Sequence, residues 1–115
     1  MTREECYMQG MECFIEDRYE EAITWYEKAL AHDPDYTDAL LALGETYARL
    51  KRYDEAIEAA QRAAAADPNE VMAQTSLSRF YMEKGMIEEA EAAGAKARML
   101  GWKAELREKS KKAGA

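Results

Sequence analysis

Cys6, Cys13 and His32 are the only thiols and the only imidazole in 115 residues. Clustered, such groups could act as nucleophile, acid–base pair or metal ligands. Their spacing argues against it. Cys6 and Cys13 stand seven residues apart on one face of a helix, so their backbones are about 10 Å apart, too far for a disulfide. They read as buried small hydrophobes. His32 stands alone beside a helix end, without a second ligand. Three acidic pairs, Glu20-Glu21, Asp54-Glu55 and Glu88-Glu89, have the residue type for carboxylate chemistry, but each opens a helix, where negative charge complements the helix dipole. There is no glycine-rich phosphate loop and no Gly-x-Ser-x-Gly turn. The sequence therefore predicts no enzyme, no cofactor and no metal.

The elements that carry these residues repeat. RYEEAI at 18–23 returns as RYDEAI at 52–57 and, blurred, as MIEEAE at 86–91. Stepping by the same interval aligns Gly10 with Gly44 and Ser78, and Cys13 with Tyr47 and Tyr81. It also aligns Ala22 with Ala56 and Ala90, and Ala29 with Ala63 and Ala97. Asp33-Pro34 recurs as Asp67-Pro68, and the third position is Gly101-Trp102. Such a period marks stacked supersecondary units. Each unit reads as two helices. Thr2 with Glu5 forms a capping-box signal for the first, which runs to Ile15. A second helix covers about 19–31 and stops because the residue before proline leaves helical geometry. Further helices are expected near 36–50, 53–66, 70–84 and 87–100. Gly101 is read as a stop, followed by a seventh helix over about 102–112 and a frayed end at 113–115. Gly10 and Gly44 lie mid-helix, where glycine costs about 1 kcal/mol against alanine, so close approach of another helix is expected there, with Ala22 and Ala56 opposite.

The chain resembles the tetratricopeptide repeat family. The family's small–aromatic–alanine series falls on Gly10, Cys13, Ala22, Tyr26, Ala29 and Pro34, then on Gly44, Tyr47, Ala56, Ala60, Ala63 and Pro68. In the third unit it falls on Ser78, Tyr81, Ala90, Gly94, Ala97 and Trp102. Cys6, Leu40 and Gln74 depart from the family's tryptophan slot. The resemblance implies an all-α fold: a right-handed superhelix of three helix-turn-helix repeats (3–36, 37–70, 71–104) with a seventh capping helix, all in one domain over 1–115.

A unit in such a stack is covered by its neighbours, and terminal units are altered. The stripes Ala39, Leu43, Thr46, Leu50 and Ala73, Leu77, Phe80, Lys84 are expected to face the preceding unit. Their counterpart in unit one, Glu5, Gln9, Glu12, Glu16, is polar, as expected if nothing packs before it. Trp102 and Leu106 are expected to pack on unit three, with the rest of their helix a solvated lid.

Net charge is −7, distributed as −10 over residues 1–101 and +3 over 102–115. An acidic body argues against nucleic acid as partner. No apolar run approaches the roughly 20 residues that span a membrane, and the polar N-terminus is no secretory signal, so a cytoplasmic location is expected.

The resemblance further implies that first helices of successive repeats line a concave groove. Slot by slot this names Tyr7, Met8, Met11 and Phe14, with Leu41, Glu45 and Arg49 from unit two and Met72, Arg79 and Met82 from unit three. Tyr7, Met11 and Phe14 fall at i, i+4 and i+7 on the expected open side, an apolar cluster of the kind that marks a binding surface. Met8 and Ile15 read equally well as core. Relatives that grip the C-terminal carboxylate of heat-shock chaperones use lysine, arginine and asparagine at slots that here hold Tyr7, Met11, Ala42, Met72 and Ser76, so that ligand is not expected. The reading is a protein-interaction scaffold or adaptor that binds a peptide or helix with apolar anchors. The competing reading is a self-assembling homo-oligomer using the same apolar surface, and a remote one is an enzyme or metal protein.

Overall fold

Proline sets the ends of the second and fourth helices. In the computed structural model, which describes residues 1–114, Asp33 and Asp67 turn to extended backbone (φ −147° and −139°) immediately before Pro34 and Pro68. Six α-helices result, with no strand among the described residues: α1 Arg3–Ile15, α2 Tyr19–His32, α3 Thr37–Arg49, α4 Tyr53–Ala66, α5 Val71–Glu83 and α6 Ile87–Ala113. The capping box expected from Thr2 and Glu5 is present.

Between the two helices of each unit lies a tight turn that repeats with the sequence period. Asp17, Lys51 and Gly85 adopt φ of 62°, 61° and 80°. The following amides, Arg18, Arg52 and Met86, donate to the carbonyls of Cys13, Tyr47 and Tyr81 at 2.8, 2.9 and 2.8 Å. This left-handed cap satisfies carbonyls that the helix end would leave open and reverses the chain. α1 thereby folds on α2, α3 on α4 and α5 on α6, while α2–α3 and α4–α5 contacts join the units. α3 also touches α1 and α5, so the first helices run side by side in a helical-repeat superhelix.

The core forms at these joints. One cluster centres on Cys6, Cys13, Tyr26, Leu30, Leu40 and Leu43, another on Ile57, Ala60, Leu77 and Phe80. Cys6 and Cys13 are buried free thiols, as their spacing predicted. Ala39, Leu43 and Thr46, and likewise Ala73, Leu77 and Phe80, are buried where the preceding unit covers them. Gly44 meets the Ala56 carbonyl: a Cβ there would lie 3.3 Å from that oxygen. Gly10 differs from expectation, because it faces the ring of Tyr26 instead of Ala22.

The seventh helix is not formed. α6 continues unbroken from Ile87 through Gly101 to Ala113, with Gly114 as its cap. Proline at the corresponding place in units one and two forbids helical geometry just before it, whereas glycine costs only about 1 kcal/mol in a helix that good helix formers extend on both sides. Trp102 and Leu106 consequently do not turn back onto unit three; they are 64% and 47% exposed. The frayed end expected at 113–115 begins no earlier than the helix's last residue, and Ala115 lies outside the described residues.

Candidate partner-binding groove

α1 presents more apolar surface than its own partner helix can cover. Cys6, Gly10 and Cys13 face α2 and are buried. Tyr7 and Phe14 flank that stripe and are half-buried, and Met11 and Ile15 project further, 40% and 76% exposed. Aromatic neighbours hold the two half-buried rings. Tyr7 lies between Tyr26 and Tyr36, with centroids 5.9 and 5.6 Å away. Phe14 meets Tyr19 edge-on at 5.3 Å, and the Arg49 guanidinium sits 5.4 Å from its ring centre. These contacts fix the walls and leave a hollow between them.

That hollow has a volume of about 180 Å³ and is lined by Tyr7, Met11, Phe14, Ile15, Tyr26, Ala42 and Glu45. Small-molecule sites run from about 300 Å³ upward, so this one suits a single apolar side chain. Tyr26 forms the floor; it is 1% exposed, and burial pushes its phenol well above the ordinary value. Tyr7 is raised too, by burial first and by the Asp38 charge second. Both therefore stay neutral at physiological pH, as a greasy pocket requires.

Glu45 at the rim connects this hollow to the next stretch of the groove. The two terminal nitrogens of the Arg79 guanidinium donate to its carboxylate, Nη1 at 3.2 Å and Nη2 closer. Glu45 and Arg79 occupy equivalent positions in successive repeats, so the pair ties α3 to α5 across the groove. Its hydrogen bond to Glu45 raises the Arg79 pKa further above its already high value. A second hollow of about 150 Å³ opens beside the pair, lined by Glu45, Ala48, Arg49, Tyr53, Arg79, Phe80 and Glu83.

Of the residues named from sequence, Tyr7, Met11, Phe14 and Glu45 converge on one cavity, with Arg49 and Arg79 joined to it through Glu45. Met82 lies farther along, in a hollow of about 460 Å³ that α5 shares with α6. Met8 and Met72 are 66% and 57% exposed and line none of these hollows. Leu41 is half-buried against the core cluster of the first two units. The open question over Met8 and Ile15 is resolved toward exposure: neither is core. Tyr26 was not singled out for the site, although it fills the aromatic slot of the repeat series. Its signal was Gly10, whose missing side chain makes room for that ring.

The chemistry-bearing residues stay apart. His32 is exposed in the last turn of α2, and no group of three His, Cys, Asp or Glu side chains among the described residues could hold a metal ion. No helix among them is long and apolar enough to cross a membrane.

The Tetratricopeptide repeat family model matches residues 14–76 and again 50–99. No curated protein sequence matches the chain. Among solved structures, MamA is similar at a TM-score of 0.88 and 30% identity, over 90% of this chain and 61% of that one. The second TPR of Spaghetti (RPAP3), bound to the HSP90 peptide SRMEEVD, is similar at 0.82 and 21% identity, over 87% and 93%. The Sgt2 TPR domain from Aspergillus fumigatus gives 0.83 and 21%, over 86% and 66%. The chain thus spans about three fifths of the MamA chain it resembles.

Proposed function

Since the chain belongs to the tetratricopeptide repeat family, we propose that it is a non-catalytic protein-interaction module whose groove takes a peptide or helix of a partner protein. The observation that carries this reading is the apolar hollow of about 180 Å³ between Tyr7, Met11, Phe14 and Tyr26, open to solvent on the concave side. One bulky apolar side chain of the partner enters it, and burial of that anchor supplies most of the affinity, as a few residues do in interfaces generally. Met11 and Ile15 adapt their shape or exposure to the anchor, methionine being the more pliable. Arg49 and the Glu45–Arg79 pair set the direction of the chain beyond it.

The likeness to the RPAP3 unit is one of fold. Its HSP90 peptide is not the expected ligand here, because the slots for a carboxylate clamp hold Tyr7, Met11, Ala42, Met72 and Ser76, without a cation among them. We place the protein in the cytoplasm, in keeping with two free thiols.

The test is selection from a displayed library of peptides and short helices. The wild type is expected to enrich sequences with one bulky apolar anchor. Met11→Glu with Ile15→Glu, at exposed positions where folding is spared, and Tyr7→Ser with Met11→Ser and Phe14→Ser should both lose that enrichment. Equal enrichment by folded variants would overturn the reading.

A further inference from the structure

α6 carries a second apolar surface, remote from the groove hollow at α1. Ala92, Ala95, Met99, Trp102 and Leu106 follow one another at spacings of three, four, three and four, the seam of a coiled coil. All five are exposed, Met99 at 56% and Trp102 at 64%. The opposite face, with Ala90 and Ala93, is buried where α6 packs on α5. The equivalent positions on α2 and α4, Thr24, Glu27, Ala31 and Glu58, Gln61, Ala65, are exposed too but mostly polar, so the apolar stripe is particular to α6.

We propose that this seam pairs with the same seam of a second copy, the two helices running antiparallel about a two-fold axis. Charge selects both the partner and the direction. Residues 87–95 carry three acidic side chains (Glu88, Glu89, Glu91) and no basic one, while residues 103–112 carry five basic and two acidic. Antiparallel pairing lays −3 against +3 twice; parallel pairing would lay like on like at both ends. With the axis between Leu100 and Gly101, Ala95 falls opposite Leu106 of the second copy, small against large, and Met99 falls opposite its Trp102, where the pliable thioether packs on the ring. On one flank Arg98 meets Glu105 of the second copy. On the other, Lys96 and Lys103 meet, and their long stems keep the ammonium groups in water.

A two-fold contact of this kind uses one patch twice and closes at two copies. It leaves both grooves open, so a single particle would present two binding hollows, and a partner with two anchors would gain avidity without any new contact. The inference does not depend on the occupant of the groove.

Sedimentation equilibrium between about 1 µM and about 100 µM, where a micromolar Kd shows itself, tests the seam. The wild type is expected to reach twice the monomer mass. Trp102→Glu with Leu106→Glu should weaken association by roughly 100-fold or more, as loss of a central aromatic anchor does, with helicity by circular dichroism kept. The Tyr7, Met11, Phe14 triple serine variant should still dimerise. Direction is read by oxidative cross-linking: a copy carrying Ala95→Cys should join one carrying Leu106→Cys, and not itself. A wild type that stays monomeric throughout, a dimer untouched by the seam substitutions, or cross-linking only of position 95 to itself would each overturn the proposal.

Discussion

Gly10 and Tyr26 are fitted to one another: a Cβ built on Gly10 would lie 2.4 Å from Cε1 of the Tyr26 ring and 2.6 Å from Cδ1. The ring that floors the apolar hollow can approach α1 this closely only because position 10 has no side chain. Gly10→Ala should therefore destabilise the protein. Overpacking costs about 1–3 kcal/mol, against about 1 kcal/mol gained in helix propensity. Urea unfolding of the two proteins gives the sign, and a stabilised variant would refute the close fit.

The left-handed turn offers a test in both directions. Lys51 holds φ 61° where Gly85 holds φ 80° in the next unit. Lys51→Gly should stabilise by up to about 1 kcal/mol, because a non-glycine residue there carries strain of that order. Gly85→Ala should destabilise by a similar amount. The midpoint of thermal unfolding moves up for the first and down for the second.

Glu45 and Arg79 form an exposed pair, with side chains 32% and 52% accessible. Such pairs contribute less than about 1 kcal/mol, so Arg79→Ala should leave stability nearly unchanged. It would, however, uncover a carboxylate at the rim of the hollow. Peptides selected by this variant should shift toward a basic residue beside the apolar anchor, read by comparing the two enriched pools.

The Glu5 carboxylate is held below its ordinary pKa, first by the backbone amide of Thr2 and then by the Thr2 side chain. A depressed carboxylate contributes stability that is present above the unfolded-state pKa and lost as pH falls through the folded one. Replacing Glu5 with glutamine removes the titration. The stability gap between wild type and Glu5→Gln should be widest near neutrality and close in acid, measured by urea unfolding across that range.

The period made most of the fold readable. Asp33-Pro34 and Asp67-Pro68 marked two helix ends because proline excludes the preceding residue from helical geometry, a strictly local effect. Gly101 misled for the converse reason: glycine permits a stop without requiring one, and α6 runs through it. The polar turn at Glu16-Asp17-Arg18 is legible in the sequence, but its left-handed geometry is not: lysine at 51 does not announce a positive φ and aspartate at 17 does so only weakly, although their partner Gly85 does. In the site, Tyr7, Met11 and Phe14 were legible as an apolar stripe that α2 could not absorb. Leu41 is half-buried against the same core cluster as Tyr7 and Phe14 but does not line the hollow, a distinction that depends on how α1 and α3 settle together and that no single helix pattern encodes. The Glu45–Arg79 bridge likewise needed three dimensions, since its members lie in different repeats.

The central claim is that a partner's apolar side chain enters the hollow under α1. Methyl NMR reads it most directly, because the chain has seven methionines and one of them, Met11, lines that hollow. Titrating a selected peptide into methyl-labelled protein should move the Met11 resonance first and furthest, leaving Met99 on α6 in place. A saturating peptide that shifts other methionines while Met11 stays still would contradict the account.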